Sequence, residues 1–367
     1  MECIAILGRR EEPTDGVRDY CCYLRDALAK EGVNLTLTQV RWAEIGRKAS
    51  RQELLEAVKG KQNTFFLLQY TALSWSRRGF ALPAVGILKL LKKNGARCAV
   101  VFHDPDGYVG SRAVDRFRRG IQRYAMKRLV RLSDFAIFTL PRDKISWLPA
   151  DTQNFVFIPV GANLPAPERA WKEKRGSTGS KPVVAVFSLS DKPTLAKEVR
   201  QIAQAVGSAA KQVGPVEVVV LGRNSESGGA ELRSALAGSA AVRIAGLMSA
   251  DEVVVALGAS DVMLFARGPI SSRRGSAIAG VACGLPVIAE VGSETAPPIT
   301  EAGVVLVPEE LVPEGFGAAL VRVLTDQSYR SSLAKRSRDA QSRYFSWSVI
   351  AREYVQALRA LGAPSRE

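Results

Sequence analysis

The chain has 367 residues, of which 47% are hydrophobic and 24% charged, with 51 Lys and Arg against 36 Asp and Glu for a formal charge of +15. A length of this order suits two domains, each with enough apolar residues to bury its own core, which excludes a chain that is disordered for most of its length. No apolar run approaches the roughly 18–20 residues that cross a bilayer, and the excess positive charge, concentrated in residues 1–175, calls for an acidic partner such as a phosphate-bearing substrate, an anionic membrane surface or a nucleic acid.

In chain order, residues 3–7 (CIAIL) read as a buried strand, followed by a polar loop with Pro13 and Asp15-Gly16. Tyr20, Leu24, Ala27 and Leu28 recur at helical spacing up to Gly32, and Val33, Leu35 and Leu37 alternate as a second strand. Residues 64–70 form a third strand, a helix through Val85, Leu88 and Leu91 stops at Asn94-Gly95, and residues 98–102 form a fourth. After a basic helix, residues 135–138 and 155–158 add two more strands. Residues 166–181 break the pattern with Pro167, a charge run and Gly176-Ser177-Thr178-Gly179-Ser180, the composition of a solvated linker. Strands then resume at 183–187, 216–221, 242–244, 262–265, 287–289 and 304–307, and residues 346–361 have the spacing of a terminal helix.

Apolar strands alternating with helices predict parallel sheets covered on both faces. The expected organisation is an N-terminal Rossmann-like domain over 1–165, the linker, a second Rossmann-like domain over 182–345 and a closing helix and tail over 346–367, with a cleft between the domains. The start, Met1-Glu2-Cys3-Ile4, lacks the features of a secretory leader. Five cysteines without a Cys-x-x-Cys pair read as reduced core thiols, which points to the cytoplasm.

The most informative segment is residues 265–289. A strand ends at Phe265, a loop carries Ser271-Ser272-Arg273-Arg274-Gly275-Ser276, and a small-residue helix runs from about Ala277 to Cys283 before Gly284 stops it. The free N–H groups and positive dipole end of such a helix attract anions, and Arg273 and Arg274 offer forked donors to phosphate. Gly275 permits close approach of a ligand, and Ala277, Ala279 and Gly280 let the helix lie near the sheet. His103, the one histidine, follows a strand and opens His103-Asp104-Pro105-Asp106-Gly107, a place from which it can bind a sugar or move a proton, with Asp104 or Asp106 to orient it or act as base. Residues 111–131 are rich in arginine and lysine. Val114, Phe117, Ile121, Ala125 and Leu132 form their expected apolar face, leaving a cationic face for anionic lipid. No helix-turn-helix, zinc or RNA-binding signature supports a nucleic-acid partner. Trp75, Arg77 and Arg78 sit in a further loop after a strand.

The loop, the small helix and Ala-Cys-Gly-Leu-Pro-Val-Ile-Ala resemble the donor site of GT-B glycosyltransferases of family 4. Asp15-Gly16-Val17-Arg18, Phe102-His103-Asp104, Ile158-Pro159-Val160-Gly161-Ala162-Asn163 and Phe345-Ser346-Trp347 resemble that family's glycine loop, strand-end histidine, domain-closing turn and crossover helix, in the same order. The resemblance implies a UDP- or GDP-sugar donor, retention of configuration, a glycan or lipid-linked acceptor, and no bound metal. Taken with the residue readings above, it makes His103, Asp104 and Asp106 the catalytic candidates, and Asp15, Gly16, Arg18, Lys192, Arg273, Arg274, Gly275 and Ser276 the donor-binding candidates. Asp104-Pro105-Asp106 also matches the Asp-x-Asp metal motif of the other large glycosyltransferase fold, but Pro-Asp-Gly is turn chemistry. The two family glutamates fall on Ser271 and Ala279, and the arginine after the first strand of the second domain falls on Ser188. These departures leave open a homologue that binds donor without transfer. A basic scaffold protein and another GT-B enzyme, such as a sugar-nucleotide epimerase, also remain open.

Overall fold

Among the described residues, twelve short strands, most of them unbroken apolar runs, form two all-parallel six-stranded sheets. The computed structural model describes residues 1–11, 14–61, 64–107, 112–172, 181–191 and 194–362. It divides into one unit of Met1–Val160 with Trp347–Glu367 and a second of Gly161–Ser346.

The first unit runs β1 (Glu2–Leu7), α1 (Gly16–Lys30), β2 (Asn34–Gln39), α2 (Trp42–Val58), β3 (Thr64–Tyr70), α3 (Ala72–Trp75), α4 (Leu82–Lys93), β4 (Arg97–Phe102), α5 (Ala113–Leu132), β5 (Phe135–Phe138) and β6 (Phe155–Phe157), in sheet order β2-β1-β3-β4-β5-β6. β3, buried along its whole length, carries a polar side chain at Gln69 directly after the apolar run Phe65-Phe66-Leu67-Leu68. Phe102 stacks on Phe138 with ring centroids 4.7 Å apart, and Trp147 packs edge-on against both.

The second unit runs β7 (Val183–Phe187), α6 (Leu195–Val213), β8 (Val216–Leu221), α7 (Ser225–Ala235), β9 (Ala240–Gly246), α8 (Ala250–Gly258), β10 (Val262–Phe265), α9 (Gly275–Ala282), β11 (Val287–Glu290), β12 (Val304–Val307), α10 (Glu314–Thr325) and α11 (Gln327–Ala340), in sheet order β12-β11-β10-β7-β8-β9. After a π-helical turn over Gln341–Phe345, the last helix, α12 (Trp347–Gly362), belongs to the first unit. It packs on α1, where Tyr354 and Tyr20 share a buried hydroxyl hydrogen bond of 3.0 Å and Trp347 stacks on Tyr23.

Three expectations change. Part of the segment expected as linker is folded. Pro167–Lys172 is a 3-10 helix in which Ala170 is buried, the Trp171 indole N–H donates to the Ala282 carbonyl at 2.8 Å and Arg169 pairs with Asp251. Residues 173–180 of that segment lie outside the described residues. In α5 the buried stripe is Asp115, Gln122, Ala125, Met126 and Leu129, whereas Val114 and Phe117 are exposed, Phe117 by 65%. The stripe turns because its polar members have partners. Asp115 accepts from the Arg112 N–H and from Arg118, and Gln122 donates to the Gly79 carbonyl at 2.8 Å. The cysteines are all free thiols, but Cys22 is only half-buried. Burial pushes the thiols of Cys3, Cys98 and Cys283 up to about 12.

Candidate functional site

In each sheet the first strand has its sequence successor on one side and a later strand on the other, so connections leave in opposite directions and open a crevice at the carboxyl ends. In the second unit this switch point falls between β7 and β10. The loop after β10 crosses it as residues 266–274 and delivers α9.

The start of α9 is built to stay in place. Ile270, Ser271 and Ser272 are buried, and the Ile270 N–H donates to the Glu290 carbonyl at 2.9 Å. Thr295 donates from Oγ1 to the Ile270 carbonyl and accepts from the Gly292 N–H. Gly280 lets the helix lie on the sheet, since a Cβ there would stand 2.5 Å from Met263 Sδ and 3.2 Å from Val287 Cγ2. At the other end Gly284, at φ 72°, closes a Schellman motif: its N–H donates to Val281, and the Leu285 N–H donates to Gly280. Gly275 and Ser276 remain half-exposed, and a Cβ at Gly275 would meet no protein atom within 4 Å. No side chain caps this helix start, which follows the end of β10 in the chain, so its first N–H groups and positive dipole end are suited to an anion.

The basic groups around it divide into two kinds. Arg273 is engaged with protein: Nε and Nη2 donate to the two oxygens of Glu294 at 2.7 and 2.8 Å, and Ser271 Oγ donates to the same carboxylate at 3.2 Å. Burial would raise the Glu294 carboxyl, but Arg273, with Arg274 and Ser271, outweighs it and holds it below the usual range. Arg273, expected as a phosphate donor, is thus half of an ion pair that fixes the loop. Arg274, the N-cap residue, is half-buried at the helix start.

Arg267 was not singled out in the sequence. It follows β10 directly at the switch point, and among the described residues nothing accepts a hydrogen bond from its buried Nε. Burial lowers its affinity for the proton, Glu198 opposes that, and Arg223 adds to it. Glu198 lies on the buried stripe of α6, where burial raises its carboxyl although the Ser190 N–H donates to it at 2.8 Å. Arg223 follows β8, whose loop is tied to that of β7 by Asn224, donating to Leu189 O and Asp191 Oδ1. Arg267 and Arg223 thus follow the two strands that flank β7, whose end precedes Ser188, and Ser271 donates to Glu294. A glutamate on an apolar helical stripe and an arginine closing an apolar strand are the signals that mark them. Ala279, the other position without a family glutamate, is buried. Lys192 lies outside the described residues.

In the first unit, His103 follows β4. Its Nε2 is 2.8 Å from Gln69 Oε1, and the Gln69 amide N–H donates to the Leu67 carbonyl, which turns the amide oxygen toward the ring. The neutral histidine therefore carries its proton on Nε2 and leaves Nδ1 as an acceptor. Tyr20 packs edge-on against it at 4.9 Å, and burial pulls the imidazole down to about 4. The following loop is pinned by the Trp147 indole N–H on the Pro105 carbonyl. Asp104 borders a cavity of about 260 Å³ with Arg77, Arg78 and Gln122, while Asp106 turns toward Arg123 at 4.0 Å. Asp15 is committed to capping α1. Its Oδ1 accepts from the Val17 and Arg18 N–H groups at 3.1 and 3.0 Å, and Oδ2 accepts from Glu11. Those N–H groups are thus occupied, and Gly16 and Arg18, expected to bind the donor, are exposed beside them. Among the described residues no group of three or more His, Cys, Asp or Glu side chains is placed to hold a metal.

Neither a family model nor a curated protein matches the chain. Solved structures do. Sucrose-phosphate synthase from Thermosynechococcus elongatus aligns with a TM-score of 0.68 at 19% identity over 99% of both chains. HepE from Anabaena, solved with UDP and glucose, aligns at 0.66 and 12% over 98% of this chain and 100% of that one. A glycosyltransferase from Rickettsia africae ESF-5 aligns at 0.66 and 14% over 99% of both. Two parallel six-stranded units, a C-terminal helix that returns to the first of them and likeness to these structures over nearly their full length identify the chain as a GT-B fold protein.

Proposed function

We propose that the chain is a glycosyltransferase that moves a sugar from a UDP- or GDP-sugar to a glycan or lipid-linked acceptor, with retention of configuration. The observations that carry this reading are the uncapped start of α9 and the buried Nε of Arg267, which has no acceptor among the described residues, both in the stretch that follows β10 in the second unit. That combination suits a diphosphate, and neighbours of the same fold have been solved with UDP or UDP-glucose. The amides of Gly275 and Ser276, together with Arg267, Arg274 and Lys192, would stabilise the charge that develops on the leaving diphosphate. His103 would present Nδ1 to a sugar or acceptor hydroxyl, with Asp104 next to it.

A membrane-associated setting at the cytoplasmic face fits the outer side of α5. There Val114, Phe117 and Tyr124 stand exposed among Arg112, Arg116, Lys127 and Arg131, an apolar and cationic surface of the kind that lies on anionic lipid. No helix among the described residues is long and apolar enough to span a membrane.

Thermal shift and calorimetry with UDP, GDP and their sugars test the donor reading. One nucleoside diphosphate should raise the melting temperature by mass action. Its affinity should fall tenfold or more in Arg267→Gln, the loss of a charged hydrogen bond of about 1.5–3 kcal/mol. If no nucleoside diphosphate or its sugar binds at millimolar concentration, the reading is wrong.

A further inference from the structure

The first unit has its own switch point, between β1 and β3. A cavity of about 390 Å³ opens among the residues that follow these two strands and the start of α2, lined by Arg9, Arg47, Arg77, Ser74, Trp42 and Trp75. Its walls are fixed. The Arg9 N–H donates to the Ser74 carbonyl at 2.7 Å, an approach that only glycine at position 8 allows, since a Cβ there would stand 2.4 Å from that oxygen. The Trp75 indole N–H donates to the Gln69 carbonyl at 2.8 Å, and Trp42 packs against Trp75 edge to face.

Three guanidinium groups share this cavity. Among the described residues none of them has an acidic partner, and the Arg9 Nε is buried with no acceptor. Arg47 and Arg77 are exposed at its rim and Arg9 is half-buried; like charges around one hollow repel, and the buried Arg9 donor without an acceptor is costly. An oxyanion bound among them removes both penalties. Three forked donors suit the three terminal oxygens of a phosphate better than the two of a single carboxylate. Arg77 also borders the neighbouring cavity of about 260 Å³ that reaches Asp104, the residue after His103.

We propose that this pocket binds a phosphate group carried by the acceptor, so that the acceptor is a phosphorylated sugar or a sugar linked to a lipid diphosphate, whose reacting sugar hydroxyl reaches the Asp104 side. The phosphate site stands on the pocket alone, and its use by an acceptor rests on the transferase reading. The test is calorimetric titration of inorganic pyrophosphate into the full chain and into Arg267→Gln, each with and without Arg9→Gln and Arg77→Gln. Removing the two first-unit arginines should weaken pyrophosphate at least tenfold in the Arg267→Gln background and remove one of two binding steps from the unsubstituted chain, while leaving UDP affinity unchanged. Equal pyrophosphate affinity with and without them overturns the proposal, whereas failure of UDP to bind the unsubstituted chain overturns only the donor reading. Should the double variant not fold, Arg77→Gln alone, at an exposed position, carries the same comparison with a smaller expected loss of about threefold. Hexose 1-phosphate and geranyl diphosphate then compete for the bound pyrophosphate. Displacement by the first marks a sugar phosphate and by the second a lipid diphosphate, and displacement by neither overturns the acceptor assignment.

Discussion

Arg273 and Glu294 meet fork to fork, with Nε and Nη2 of the arginine 2.7 and 2.8 Å from the two carboxylate oxygens, at 16% and 13% side-chain exposure. The pair ties the loop after β11 to the loop that delivers α9, and it brings a carboxylate to the hydroxyl of Ser271. Breaking a buried pair by removing one partner leaves the other charge uncompensated. Glu294→Gln should therefore lower stability by about 3 kcal/mol in urea denaturation and weaken nucleotide binding through a loosened α9 start. The Glu294 carboxyl is held below the usual range by the arginines and Ser271 against its burial. Its folded value lies under its unfolded one, so the stabilisation is present above the ordinary carboxylate range and is lost as pH falls through the depressed value. The stability gap between wild type and Glu294→Gln should narrow on acidification. A gap independent of pH would contradict the assignment.

His103 predicts a pH effect of its own. Its imidazole is pulled by burial to about 4 from an unperturbed 6.5, so between those values the unfolded chain holds a proton that the folded chain does not. The associated stability is present above pH 6.5 and drains away as pH falls toward 4. His103→Asn should flatten this part of the curve, measured as urea midpoints between pH 7 and 4.5. Identical slopes for the two proteins would show that the histidine is not buried neutral.

Gly280 sets how closely α9 lies on the sheet. Gly280→Val would place its Cβ 2.5 Å from Met263 Sδ and 3.2 Å from Val287 Cγ2. Overpacking of this kind costs about 1–3 kcal/mol. The melting temperature should drop, and UDP should bind more weakly because the helix, with its start, is pushed off the sheet. Unchanged UDP affinity in a folded variant would separate α9 from nucleotide binding.

The outer face of α5 gives a membrane prediction. The wild-type chain should co-sediment with vesicles containing anionic lipid at low salt and release at high salt. Phe117→Ser with Arg116→Ser, both at exposed positions, should reduce binding several-fold with no change in melting temperature. Equal sedimentation with neutral vesicles would argue against the electrostatic part of the reading.

The strands were legible because parallel sheets bury both faces and leave near-continuous apolar runs. Residues 64–70 and 262–265 correspond to β3 and β10 as read from sequence. The cationic helix was legible too, but its orientation was not. Spacing alone put Val114 and Phe117 inside, whereas Asp115 and Gln122 are buried because Arg118 and the Gly79 carbonyl meet them there. Arg118 lies one turn along the same helix and Gly79 lies 43 residues from Gln122, and apolar periodicity registers neither partner.

What the sequence by itself determined is the alternation of elements, the stop at Gly284 and the placement of a helix start beside an arginine-rich loop, because these follow from local propensity and polarity patterns. Only the tertiary structure decided which charges are available. It paired Arg273 with Glu294 across 21 residues, gave the carboxylate of Asp15 to the start of α1, and left the Nε of Arg267 and of Arg9 buried without acceptors at the two switch points. The physical reason is that a charged side chain is defined by what surrounds it, and strand order rather than chain order sets those surroundings.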